Sequence, residues 1–95
     1  MYEATVSYTE TLKAFANHKS LRDVGLYLLN QFDKPVNWFG SAADWSFGMA
    51  FQEFVRQFRQ VAPKGTKPKA LVIRWDARRK LATISLPSGD LAVTR

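Results

Sequence analysis

Basic side chains are concentrated in the last third of the chain, and the chemistry they offer is the binding of anions. The formal net charge is +6, and residues 1–63 contain six Lys or Arg and six Asp or Glu, so the whole excess lies in residues 64–95. The cations of that segment are Lys64, Lys67, Lys69, Arg74, Arg78, Arg79, Lys80 and Arg95. Such an imbalance predicts a surface for nucleic acid or another polyanion. The alternative is a solvated basic face that maintains solubility.

The spacing of these cations predicts how a polyanion would contact them. A loop around Lys64, Lys67 and Lys69 precedes one strand, a basic turn at residues 78–80 follows it, and Arg74 lies between them. Lys and Arg at this density can follow the phosphates of a nucleic-acid backbone, and neighbouring hydroxyls add neutral donors. The expected hydroxyls are those of Thr83, Ser85 and Thr94. No RNP aromatic pattern, GXXG clamp or helix-turn-helix is recognisable.

A second candidate surface lies on the long helix expected in the middle of the chain. At 100° per residue, one face groups Trp45, Met49, Gln52, Arg56 and Arg59, opposite the apolar stripe. Trp, Met and Arg together are typical of protein-interface hot spots. The alternative, which we favour, is that the segment containing Trp38 and Phe39 covers Trp45 and Met49.

Residues arranged for catalysis are scarce. His18 is the only histidine and lies in a polar stretch without cysteines, which predicts a capping or exposed role. Asp44 and Glu53 fall on different faces of their helix and form no acid–base pair. Gly65 stands alone among lysines, so no phosphate-binding loop is indicated. We therefore expect no enzyme, no catalytic residues, no metal site and no cofactor.

The element that must position these groups is a helix over residues 41–61. Ser41 with Asp44 three residues later predicts a capping box at its start, and Pro63 predicts its end. Its apolar stripe consists of Phe47, Phe51, Phe54, Phe58 and Val61. Steps of four and three place these side chains on one face, which we expect to form the core.

Two shorter helices are expected before it, after a first strand at residues 2–8 with alternating polarity. Thr9 or Thr11 can cap the first helix, which ends near residue 17. Ser20 can cap the second, which ends near residue 31. Gly25, on the apolar stripe of that second helix, predicts a close packing contact. Residues 33–40 read as a loop, with Trp38 and Phe39 as lids over the core.

The end of the chain predicts a meander of strands. A strand around residues 71–76, a turn at 77–79, a strand at 80–86, a turn at 87–90 and a last short strand account for the pattern. Alternation directs Ile73, Trp75, Ile84 and Val93 toward the helices, and Arg74 with the three hydroxyl residues toward the other face. The order β-α-α-α-β-β-β predicts an α+β fold, with three helices on one face of an antiparallel sheet. Residues 1–95 are expected to form a single domain.

Three functions remain open. We favour a small basic protein without catalytic activity that contacts nucleic acid, or a nucleic-acid-handling complex, through its C-terminal sheet region. The second is a regulator or inhibitor of the phage or mobile-element type, which captures a protein through the Trp45 face or an acidic protein through the basic face. The third is a toxin-type ribonuclease, which rests on fold-level analogy alone. A homo-oligomer stays open, no membrane association is expected, and a sequence without cysteines or a signal-peptide pattern favours the cytoplasm.

Overall fold

A computed structural model describes residues 1–17 and 20–95 and arranges them as an α+β fold. The elements, in chain order, are β1 (Tyr2–Ser7), α1 (Tyr8–Asn17), α2 (Leu21–Leu29), α3 (Ala43–Val61), β2 (Ala70–Asp76), β3 (Leu81–Ser85) and β4 (Val93–Thr94), with a 3₁₀ turn at Val36–Phe39 before α3. The four strands form one antiparallel sheet in the order β1-β2-β3-β4. The predicted fold class and order of elements are confirmed.

The aromatic stripe of α3 is the centre of the core. Phe47, Phe51 and Phe54 are fully buried, and Phe58 nearly so. Val61 was expected to complete the stripe, and this is wrong, because its side chain is 71% exposed. Direction around the helix is not the cause, because Ala43 lies five full turns before Val61, on the same side of α3, and is fully buried. Val61 is exposed because it is the last residue of α3, beyond the part of the helix that the core covers.

The start of α3 also differs from the prediction. Ala42, with a left-handed φ of 73°, is the N-cap, and no side chain of residues 1–17 or 20–95 caps the helix, so the Ser41 capping box is wrong. Asp44 is engaged elsewhere: its carboxylate accepts the N–H of Trp45 at 2.7 Å and pairs with Arg22 at 3.3 Å. The carboxylate therefore links α3 to α2.

Two glycines let α2 and α3 touch through their backbones. A Cβ added to Gly25 would lie 1.5 Å from the carbonyl oxygen of Asp44, and one added to Gly48 would lie 1.9 Å from the carbonyl oxygen of Leu21. Only glycine fits at such a distance. The close contact predicted at Gly25 is confirmed, and Gly48 is its counterpart on α3.

The ends of the shorter helices agree in part with the sequence. Ser20 caps α2 as predicted, its hydroxyl oxygen accepting the N–H of Asp23. The first helix is capped by Ser7, whose Oγ accepts the N–H of Glu10, and not by Thr9 or Thr11; Thr11 is buried and donates its hydroxyl to the Ser7 carbonyl. Helix α2 ends at Leu29, two residues earlier than expected. The prediction for His18 lies outside the described residues.

Strand register fixes which side chains share a face of the sheet. Ile73, Ile84 and Val93 lie opposite one another and are buried under the helices. On the outer face a polar row runs across all four strands: Glu3, Arg74, Thr83 and Thr94. Ser85 belongs to the outer face by register, but the expectation that it adds an accessible hydroxyl is wrong. It is 1% exposed, at the point where β3 enters the turn closed by the bond from the Leu86 N–H to the Asp90 carbonyl.

Candidate anion-binding surface

The predicted cations are almost all accessible. Seven of the eight are exposed and form no ion pair within residues 1–17 and 20–95. The exception is Arg74, which is half-buried and pairs through Nε with Glu3 at 2.6 Å. Arg74 is thus engaged by a carboxylate of the neighbouring strand, and its positive charge is largely offset there.

Most carboxylates of residues 1–63 form ion pairs. Four of them pair with cations: Glu3 with Arg74, Glu10 with Lys13, Asp44 with Arg22, and Glu53 with Arg56. The exposed lysines and arginines of residues 64–95 therefore contribute most of the positive field of the molecule.

The turn after β2 is organised by Asp76. Its Oδ1 accepts the N–H groups of Arg78 and Arg79 at 3.0 and 3.2 Å, an Asx-type arrangement that fixes the backbone. Lys80 completes the turn with a positive φ of 56°. Three cationic side chains are therefore presented together at one end of the sheet.

The lysine loop before β2 is fixed at the opposite end. The Thr66 N–H donates to the Pro63 carbonyl at 3.0 Å, closing a turn in which Gly65 has φ 85°. The Tyr8 N–H donates to the Lys69 carbonyl at 3.4 Å and so ties the loop to the start of α1. Seven residues of β2 separate this loop from the Asp76 turn, a distance of about 20 Å at roughly 3.3 Å per residue.

Six of the eight cations thus form two clusters of three rather than one patch. Between them, Arg74 is paired, and the Thr83 and Thr94 hydroxyls lie 3.0 Å apart in a mutual hydrogen bond. Arg95 belongs to neither cluster: its backbone pairs with Ala82, so it follows the core-facing register of the sheet. Its positive charge makes a small contribution to lowering the pKa of Glu53, on α3.

A cleft joins residues of the two candidate surfaces. It has a volume of about 520 Å³ and lies where the start of α1, the end of α3 and the lysine loop meet. Its lining consists of Tyr8, Leu12, Phe58, Arg59, Ala62, Pro63, Lys64, Gly65, Thr66 and Lys67. Arg59, assigned from sequence to the protein-interface face, therefore lies with Lys64 and Lys67. Sequence reasoning missed Tyr8, Leu12 and Phe58 as site residues, because their apolar periodicity assigns them to the core.

Burial and charge act on Tyr8 in opposite directions. Burial raises the pKa of its hydroxyl above the ordinary value, and the positive charge of Arg59 offsets part of that rise. The hydroxyl consequently stays protonated at neutral pH and can donate a hydrogen bond in the cleft.

The helix face around Trp45 is more open than expected. Trp45 is 45% exposed and Trp38 57% exposed, so the prediction that the Trp38–Phe39 segment covers Trp45 is wrong; Phe39 alone is buried as a lid. Met49 is half-buried and Gln52 is exposed. At 1.5 Å per residue, Trp45 and Arg59 are about 21 Å apart along the helix axis. The side chains of this face therefore form a long strip, called here the Trp45 strip: Trp45, Met49, Gln52, Arg56 and Arg59.

The cationic end of this strip is a shallow groove beside α1. The groove has a volume of about 410 Å³ and is lined by Phe15, Gln52, Val55, Arg56, Arg59 and Gln60. Arg56 is engaged by Glu53, with Nε donating to the carboxylate at 3.0 Å. Hydrogen bonds from Arg56 and then Gln57 lower the pKa of Glu53 to about 2.

Comparisons with known proteins give no match: no protein-family model, no curated protein and no solved structure is similar to this chain. Across residues 1–17 and 20–95, none of the helices combines the length and apolarity needed to cross a membrane. The same residues contain no group of three or more His, Cys, Asp or Glu side chains able to hold a metal ion.

Proposed function

We propose that the protein binds nucleic acid, without catalysing a reaction on it, through the two cationic clusters at the ends of β2. The observation in its favour is that seven cations of residues 64–95 are exposed and in no ion pair within the described part of the chain. Cations that only maintain solubility are usually interspersed with carboxylates, whereas residues 64–95 contain only Asp76 and Asp90.

The backbone of both clusters supports the same proposal. The Asp76 hydrogen bonds and the Pro63–Thr66 turn hold each cluster in a defined conformation, so little backbone entropy is lost on binding. Two clusters about 20 Å apart can contact phosphates that are several nucleotides apart on one strand.

Salt dependence tests this function directly. Fluorescence anisotropy of labelled DNA and RNA should show binding at low salt that weakens steeply between about 50 and 200 mM, because phosphate contacts release counterions. Replacing Lys64 and Lys67 by Gln should flatten the plot of log K against log salt by about 1.4 for a single strand, since each lost contact contributes about 0.7. Lys69→Gln with Lys80→Gln should flatten it equally.

The control is Lys34→Gln, which removes one lysine from the part of the chain that has no charge excess. Its salt dependence should equal that of the wild type. Absence of binding to any DNA or RNA at low salt would refute the proposed function. Gels of the same samples test the ribonuclease alternative, because RNA should stay intact under our proposal and be cut under the alternative.

A second candidate function is capture of a protein partner through the Trp45 strip. The observation in its favour is the exposure of Trp45, since large aromatic side chains at a surface are enriched in interfaces. Under this reading, the protein is a regulator or inhibitor, and the basic clusters steer an acidic partner toward it. For both functions we keep the cytoplasm as the expected location, supported by a sequence without cysteines.

A further inference from the structure

The lining of the cleft between α1, α3 and the lysine loop consists of two chemically different sets of residues, here called its apolar wall and its cationic wall. One wall is apolar and includes Tyr8, Leu12, Phe58 and Ala62; the other presents Arg59, Lys64 and Lys67. Its volume of about 520 Å³ lies within the range of about 300–1,000 Å³ typical of small-molecule sites. A ligand that uses both walls must combine a flat or apolar group with a negative charge.

The apolar wall is fixed by the core behind it. The Tyr8 ring lies 6.0 Å from that of Phe58, centroid to centroid, and Phe58 stacks on Phe54 at 6.0 Å with 12° between the ring planes. Tyr8 and Phe58 are nearly fully buried, so only a small part of each ring faces the cleft. The apolar wall is therefore preformed, and a ligand would not have to order it.

The cationic wall is not neutralised by any carboxylate in the described part of the chain. None lines the cleft there, and Arg59, Lys64 and Lys67 are exposed and form no ion pair among the same residues. Gly65, at φ 85°, closes the turn that places Lys64 and Lys67 on the same wall. Its conformation is one that other residues adopt only with strain.

We propose that this cleft receives one unpaired nucleobase, with the adjacent phosphate on Arg59, Lys64 and Lys67, so that the nucleic acid bound is single-stranded. This inference rests on the proposed function and names its ligand class. In a duplex, the faces of each base are stacked and its pairing edge is occupied, so entry would require costly extrusion. In a single strand the base is free to contact the apolar wall while the backbone phosphates contact the cations. A peptide of acidic residues alone would satisfy the cationic wall and leave the apolar wall unused.

The test compares ligands of equal charge with and without bases. The probes are a labelled oligothymidylate, a strand of the same length with abasic sites throughout, and a hairpin duplex of thymidylate and adenylate with the same number of nucleotides. At one low salt concentration the wild-type protein should bind the oligothymidylate about tenfold more tightly than the abasic strand, near the low end of what one base stacked on an aromatic side chain contributes, because only a small part of each ring faces the cleft. It should also prefer the oligothymidylate to the duplex.

Two pairs of lysine variants separate the cleft from general attraction. Lys64→Gln with Lys67→Gln should abolish the preference for the oligothymidylate over the abasic strand, because the phosphate is no longer held beside the apolar wall. Lys69→Gln with Lys80→Gln removes the same charge outside the cleft and should weaken both strands equally, leaving the preference at about tenfold. Leu12→Gln, which keeps every charge and alters only the apolar wall, should remove the preference while retaining binding of the abasic strand.

Each contrary result has a defined meaning. Equal affinity for base-bearing and abasic strands, or a preference for the duplex, overturns the cleft inference and leaves the proposed function standing. Binding of a labelled poly-glutamate as tight as that of the oligothymidylate overturns it in favour of an acidic protein ligand. No binding of any probe at low salt overturns both the inference and the proposed function.

Discussion

Single residues of this protein divide into those that sequence patterns identify and those that only tertiary contacts define. The spacing between Ser20 and Asp23 predicts that Ser20 caps α2, and the place of Gly25 on an apolar stripe predicts a close packing contact. Both predictions are confirmed. Ser41 has the same spacing to Asp44 as Ser20 has to Asp23, yet does not cap α3. The difference is that α3 has Ala42 as its N-cap, in a left-handed conformation, while the carboxylate of Asp44 pairs with Arg22, 22 residues away in sequence; local spacing contains no information on such a partner.

Glu53 provides a prediction at the residue scale. Its pKa lies at about 2, below the ordinary value of 4.5, because of Arg56 and Gln57. A carboxylate whose pKa is lower in the folded state than in the unfolded state stabilises the protein at pH values above its unfolded-state pKa. This stabilisation is lost as the pH falls toward the folded-state pKa. Thermal melts should therefore show a loss of stability between about pH 4.5 and 2 that is smaller in Glu53→Gln. Arg56→Gln removes the main cause and should reduce the loss in the same way; an unchanged pH profile in both variants would contradict this account.

At the scale of elements, periodicity predicts the existence and order of helices and strands, because each element needs one buried face. Register follows as well: the alternation in residues 71–94 predicts which side chains face the helices, and Ile73, Ile84 and Val93 do so. Element ends are less predictable. The end of the α3 stripe depends on how far the core extends along the helix, which is a property of the packed molecule and not of residues 41–61.

Substitutions at Phe54 and Val61 test how far along α3 the buried stripe extends. Both belong to the stripe predicted from sequence, but Phe54 is fully buried and Val61 is mostly exposed. Phe54→Ala should reduce the free energy of unfolding by about 3–5 kcal/mol, a large part of a typical total of about 5–15 kcal/mol. Val61→Ala should change it by no more than about 0.5 kcal/mol. Urea denaturation measures both, and similar losses in the two variants would show that the stripe is buried along its whole length.

At the scale of the whole molecule, sequence predicts the charge imbalance and the structure sets its geometry. The cleft could not be predicted, because Tyr8, Arg59 and Lys67 come from a strand-to-helix junction, a helix end and a loop that meet only after folding. The separation of the cations into two clusters could be predicted from the sequence, because the length of a strand follows from its number of residues, seven for β2. The pairing of Arg74 with Glu3 was not, because it requires the register between β1 and β2.

Two double variants set the proposed functions against each other. Arg78→Glu with Arg79→Glu reverses charge at an exposed turn, and Trp45→Ala with Arg56→Ala truncates the largest side chains of the Trp45 strip. Nucleic-acid binding requires the first pair to weaken affinity at least tenfold and the second to leave it nearly unchanged. Anisotropy measures this effect, with circular dichroism as the control for folding. Protein capture that survives charge reversal and disappears with the Trp45 truncations would favour the regulator.

The crossing of α2 and α3 also bears on how distant relatives of this chain can be recognised. Most core positions tolerate exchange among apolar residues of similar volume, so their identities fade quickly between diverging sequences. A position whose missing side chain is occupied by a neighbour's carbonyl oxygen has no such freedom, and Gly25 and Gly48 are two of these, each meeting the backbone of the other's helix. A chain that keeps glycine at both points, with an aromatic stripe on the second helix and a basic meander after it, satisfies the most restrictive geometric requirement of this fold even where the rest of its sequence has changed.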